Sequence, residues 1–129
     1  TERALKREER ARAALVALPL GAAQEELHQA RIEAKKARYT LECMNAIGVQ
    51  QDREGARAFR RAQRDLGTAH DWATLLAFIE KERARRTRHA SDEFAMIHED
   101  DSIAALAGRV AALEREARTG FRPPEELAS

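Results

Sequence analysis

The sequence predicts an all-α fold, a four-helix-bundle-like domain of helices running up and down, on three observations. Ala, Leu, Glu and Arg abound while aromatic residues make up only 5% of the chain, a composition that favours helices over strands. Apolar residues recur at three- and four-residue spacing, the period of a helix with one buried face. Helix-stopping residues then divide the chain into segments of helical length.

Residues 2–18 are predicted as the first helix, stopped by the "LPLG" of residues 18–21, and residues 22–47 as the second, stopped by Gly48 ahead of the polar loop "GVQQDREG". A third helix starts at about Gly55. Its Phe59, Ala62, Leu66 and Ala69 share one face, but Trp72, Leu75, Leu76 and Ile79 lie on an arc rotated by about 110° at 3.6 residues per turn. One straight helix cannot bury both, so the sequence predicts a kink or a restart at "GTAHD", where Gly67 can end one helix and Thr68 and Asp71 read as a capping box for the next. Ser102 is expected to cap a further helix after "HEDD" of residues 98–101, with Ile103, Leu106, Val110, Leu113 and Ala117 as its buried stripe. "TGFRPP" of residues 119–124 closes that helix.

With 129 residues, 35% of them charged, the chain suits one compact domain over residues 1–129 rather than two. No apolar run approaches the roughly 20 residues of a membrane helix, and no secretory leader pattern is present, so the expectation is a soluble protein with no membrane partner. Cys43 is the single cysteine. It allows no internal disulfide, which points to a reducing, cytoplasmic setting and to a buried, inert thiol.

A net charge of +1 conceals sorted charge: "REGARAFRRAQR" (53–64) and "KERARRTRH" (81–89) are basic, and "DEFAMIHEDD" (92–101) is acidic. The positive residues are nearly all Arg, the better fork for phosphate oxygens. The second helix concentrates the rest of the signal. In "ELHQARIEAKKARYTLE" (26–42), His28, Arg31, Lys35 and Arg38 fall within about 80° of one another at 100° per residue. Leu27, Ala30, Ala34, Ala37 and Leu41 border this stripe on one side, and Ile32 and Tyr39 on the other. A plain solvated face is bounded by polar residues instead. Stacked like charges repel by a few tenths of a kcal/mol per neighbouring pair, and only Glu33 lies near, on another face. The small Ala stripe lets a neighbouring helix approach, which sets the cations at the mouth of a groove between helices.

On the third helix, Arg60, Arg64, Gly67 and Asp71 line one flank of the apolar face, with Gln63 and His70 nearer the core, and Gly67 leaves room for a ligand or a backbone. Arg60 is the best candidate to join the stripe. Arg57, Arg61 and Arg64 point more directly outward, as a solvated face does.

These residues carry a resemblance. "LHQARIEAKKARYTLE" followed by "FRRAQRDLGTAHD" resembles the CHAD domain, the conserved histidine α-helical domain. His28, Arg31, Lys35, Lys36, Arg38, Tyr39 and Glu42 match its first motif, and Arg60, Gln63, Leu66, Gly67 and Asp71 its second. Ala62 stands where a Leu is common, which thins the core, and Arg64 where an acid is common, which adds charge to the face. The resemblance implies inorganic polyphosphate as partner, bound without catalysis, on cytoplasmic polyphosphate granules of bacteria. The site residues it implies are His28, Arg31, Lys35, Lys36, Arg38, Arg60 and Arg64. It also implies that this chain is one half of a two-bundle domain, residues 22–118 resembling the second half. Such a half pairs with a second copy as a homodimer or belongs with another half in a longer chain, and a start at Thr1 without Met fits the latter.

The chemistry stands beside the resemblance. A line of Arg and Lys matches a line of phosphates, and release of condensed counterions supplies affinity, as for nucleic acids. Single-strand binders add stacking aromatics, whereas Tyr39, Phe59 and Trp72 sit on packing arcs, and no DNA-reading motif appears, so no sequence-specific nucleic acid is expected. No Gly-rich phosphate loop, nucleophile with a base or H-E-x-x-H is present, so no enzyme is expected. The four His share no zinc spacing, so no metal and no cofactor is expected, and "HEDD" reads as an acidic helix start. The alternative is a helical adaptor whose basic stripe pairs with an acidic protein surface.

Overall fold

A computed structural model describes residues 2–49, 52–89 and 93–128, the side chains of 93–100 and 128 excepted. The described residues form α1 (Glu2–Val16), α2 (Gln24–Ala46), α3 (Arg53–His89), α4 (Glu93–Gly120) and the short α5 (Glu125–Ala128), with no strand among them. Each long helix runs antiparallel to the one before it, the up-and-down, all-α arrangement the composition predicts.

The turns are built as the punctuation predicts. Gly21 and Gly48 both adopt positive φ, 72° and 75°, where a side chain would be strained. Between α2 and α3 the chain is clasped from both sides: Asn45 Oδ1 accepts from the Asp52 N–H at 2.9 Å, and Asn45 Nδ2 donates to the Asp52 carbonyl at 3.1 Å. Asp52 then caps α3 by accepting from the Gly55 N–H at 2.8 Å. A Cβ on Gly55 would run into that carboxylate.

The main core gathers Ala11 and Leu15 of α1, Leu27, Ala30, Ala34, Ala37 and Leu41 of α2, Ala58, Phe59, Ala62, Leu66 and Ala69 of α3, and Leu127 of α5. Most of these are alanines, so the helix backbones come close together. Arg12 locks one end: it donates to Glu8 at 2.7 Å and to the Glu126 carbonyl at 3.1 Å, with its guanidinium 5.7 Å from the Phe59 ring centroid.

A restart at Gly67 and Thr68 is absent. α3 runs unbroken over 37 residues, Gly67 has no positive φ, and the Thr68 hydroxyl donates back to the Arg64 carbonyl at 3.2 Å instead of capping a new start. The change of apolar phase has another cause. The first half of α3 packs on α2 and α5, whereas Trp72, Leu76 and Ile79 pack on Ile103, Ala107 and Val110 of α4 in a second core. One continuous helix buries two arcs because it has a different neighbour at each end. α2 has 23 residues against 37 in α3, so α3 overhangs α2 by about 21 Å at 1.5 Å per residue, and α4 alone covers that arm.

Four further expectations are corrected. Ser102 caps nothing, because α4 begins at Glu93 and passes straight through it; the side chains of His98, Glu99 and Asp100 lie outside the described residues. The buried face of α4 is Ala107, Val110 and Glu114, while Leu106 and Leu113 are 49% and 39% exposed. Cys43 is exposed, on the rim of a shallow cavity of about 540 Å³ between α1 and α2 that Arg3, Arg7, Tyr39 and Ile47 also line. Arg61 is not a solvated side chain: its Nη2 donates to Glu126 Oε2 at 2.8 Å and ties α5 to α3.

Candidate functional site

The antiparallel turn sets the stripe of α2 against one flank of α3. His28 stacks on His70 with ring centroids 5.5 Å apart. One turn along, Arg31 faces Gly67, whose missing Cβ would lie 3.6 Å from Arg31 Nε. Near the turn, Arg60 Nη2 lies 2.5 Å from Glu42 Oε1, and Arg38 Nε lies 3.9 Å from the same oxygen. These pairs share one register, so His28, Arg31, Arg38 and Arg60 line a single seam between α2 and α3, with Lys35 beside it on the stripe of α2.

His28, Arg31 and Arg38 are half-buried on this seam, while Lys35 is exposed at its mouth. Lys36 and Arg64 are set differently. Lys36 is exposed and sits 3.8 Å from Glu33, the acid expected to be on another face. Arg64, 71% exposed, lies one turn beyond Arg60 on the rim, 3.7 Å from its neighbour Asp65. Arg57 is exposed, as the wheel suggests, and with Glu42, Asn45 and Arg60 it lines a shallow cavity of about 530 Å³ at the turn end of the seam.

Burial along the seam leaves polar atoms unmatched. Among the described residues, the buried side-chain nitrogens and oxygens that have no hydrogen-bond partner are His28 Nδ1, Arg31 Nε, Arg38 Nε and Gln63 Oε1. All four lie on α2 or α3 along this one seam. Buried polar groups are paired in the great majority of cases, because leaving one unpaired costs about 1–3 kcal/mol. Arginine N–H groups can only donate, so Arg31 and Arg38 offer their Nε atoms to an acceptor.

Two features were not read from the sequence. Glu42 is the internal counter-ion of Arg38 and Arg60, which spacing within α2 does not show because Arg60 approaches from α3. Tyr39 is 52% exposed rather than packed, with the Arg38 guanidinium 4.4 Å and the Lys35 ammonium 5.8 Å from its ring centroid. The ring props both cations by cation–π attraction. His70 and Gln63 carried a signal, being the residues placed nearest the core on the flank of Gly67.

Among the described residues no three His, Cys, Asp or Glu side chains are grouped to hold a metal ion, and no helix is long and apolar enough to cross a membrane.

Comparison with curated proteins and with solved structures returned no match. The sequence model of one family, the CHAD domain, matches residues 1–80, a span that includes α1, α2, most of α3 and every residue of the seam. With this match spanning more than half of the sequence and the whole seam, the chain belongs to the CHAD domain family.

Proposed function

We propose that the α2–α3 seam is a basic groove that binds inorganic polyphosphate without catalysing its breakdown. The observation that carries this reading is the set of buried nitrogens without a hydrogen-bond partner on one line, His28 Nδ1, Arg31 Nε and Arg38 Nε, the last of them 3.9 Å from the Glu42 carboxylate. A chain of phosphates supplies acceptor oxygens along a line, each bearing negative charge, and Arg donors match them with charge-assisted bonds. Lys35, Lys36 and Arg64 extend the field at the mouth and rim, Arg60 closes the turn end, and release of condensed counterions adds to the affinity. Glu42 belongs to this account as a stand-in for the ligand, holding Arg38 and Arg60 in place and yielding them to phosphate.

The domain works with a second copy of itself or with another CHAD half, in the cytoplasm and on polyphosphate granules. Tyr39, Ile47 and Val49, all more than half exposed, support such pairing, because they form an apolar edge beside the basic stripe. The same edge supports the competing reading, a helical adaptor for acidic protein surfaces. A titration with long-chain polyphosphate, with single-stranded nucleic acid as competitor, decides between them: binding that survives the competitor supports the groove, and a folded protein that binds neither polymer at low salt supports the adaptor.

A further inference from the structure

The end of the seam farthest from the turn is made of two imidazoles. His28 on α2 and His70 on α3 stack with planes 27° apart, both half-buried. Nδ1 of His28 has no partner, and Nε2 of His70 lies 3.5 Å from the Thr74 hydroxyl. A neutral imidazole offers one donor and one acceptor, whereas the protonated ring offers two donors. Internal phosphates of a polymer present acceptors only. Each ring therefore serves a phosphate chain best when it carries a proton.

The charged groups around the pair come from three helices. On α2, Glu25 and Arg31 lie one turn to either side of His28. On α3, Asp71 follows His70 and is exposed. From α4, Glu114 reaches Gln24, one turn before His28, but its carboxylate already accepts from Gln24 at 2.6 Å and from Arg118 at 2.9 Å. No carboxylate is bonded to either ring among the described residues. Two stacked positive rings beside Arg31 repel one another, and a polyanion laid across them removes that repulsion.

We infer that His28 and His70 form a two-imidazole phosphate subsite that takes up protons together with the polymer, so that the domain holds polyphosphate more tightly as pH falls. This rests on the seam being the polyphosphate site and adds to it His70, which neither helix shows alone, and a dependence on pH. Imidazoles in general change charge between roughly pH 5 and 8, where Lys and Arg ordinarily do not, so a slope in that window points to histidine. The protons come from solvent, and no covalent step is involved.

The test is a titration with long-chain polyphosphate at constant ionic strength across that window, on the wild type and on the H28Q/H70Q double variant. Wild-type affinity is expected to fall by about tenfold or more from the acid to the alkaline end, and that of the variant to change by less than about twofold. Calorimetry on the wild type in two buffers of different ionisation heat, which does not depend on how the variant folds, is expected to show uptake of about one proton or more on binding. Wild-type binding with no slope and no proton uptake overturns the inference and leaves the groove standing. A double variant that keeps the full slope overturns it too, because the protons then go elsewhere. Wild-type protein that binds polyphosphate at none of these pH values overturns the proposed function itself.

Discussion

Glu42 joins Arg38 and Arg60 across two helices, its Oε1 lying 2.5 Å from Arg60 Nη2 and 3.9 Å from Arg38 Nε. The carboxylate occupies the place that a phosphate oxygen takes in the proposed complex. A ligand must therefore displace it, and its removal should help binding.

Glu42→Gln is expected to strengthen polyphosphate binding by about twofold to fivefold, since the pair is partly exposed and contributes no more than about 1 kcal/mol. A titration at one salt concentration reads this directly. Weaker binding would show that Glu42 positions the two arginines more than it competes for them.

Arg31→Ala and Arg38→Ala are each expected to weaken binding by about 1.5–3 kcal/mol, the range for a hydrogen bond to a charged group, and to flatten the salt dependence. Arg10→Ala and Arg88→Ala remove the same formal charge. Both residues are exposed, one on α1 and one at the end of the α3–α4 arm, so each should cost well under about 1 kcal/mol. Equal losses at all four positions would mean that diffuse charge alone holds the polymer.

Gly67→Ala separates stability from binding. A Cβ there meets Arg31 Nε at 3.6 Å, an ordinary contact, and alanine within a helix is better than glycine by about 0.5–1 kcal/mol. The variant should melt higher in thermal unfolding yet bind polyphosphate more weakly, because the methyl group takes space beside Arg31. Unchanged affinity would place the ligand away from Gly67.

Acid should loosen α5. The Glu126 carboxyl is held below its ordinary range, first by its own backbone N–H and then by the charge and hydrogen bond of Arg61. Because the folded value is the lower one, the stabilisation is present in full above the ordinary carboxylate range and is lost as pH falls through the folded value. Protection of the amides around Leu127, corrected for the intrinsic pH dependence of exchange, should fall over that acid window, and Arg61→Ala should remove the part of the dependence that Arg61 contributes. Protection that stays constant with pH in the wild type would refute this linkage.

Much of the fold was legible because it rests on local rules. Alanine and leucine at helical spacing mark the buried face of α2, and Gly21 and Gly48 mark helix ends because few residues but glycine take positive φ without strain. The stripe of His28, Arg31, Lys35 and Arg38 was legible for the same reason, since residues three and four apart on a helix must share a side.

What the wheel could not supply is the identity of each neighbour. The phase shift at Gly67 reads as a break when one helix is considered alone, but α3 stays whole because α2 covers its first half and α4 its second. Likewise Leu106 and Leu113 look buried by spacing and are not, because α3 meets α4 along Ile103, Ala107 and Val110. The sequence by itself determined the helices and the basic stripe, which depend on contacts within about one turn. Only the tertiary structure decided that His70 stacks on His28, that Gly67 stands beside Arg31 and that Glu42 holds Arg60, because the antiparallel register that brings these residues together is set by packing between helices.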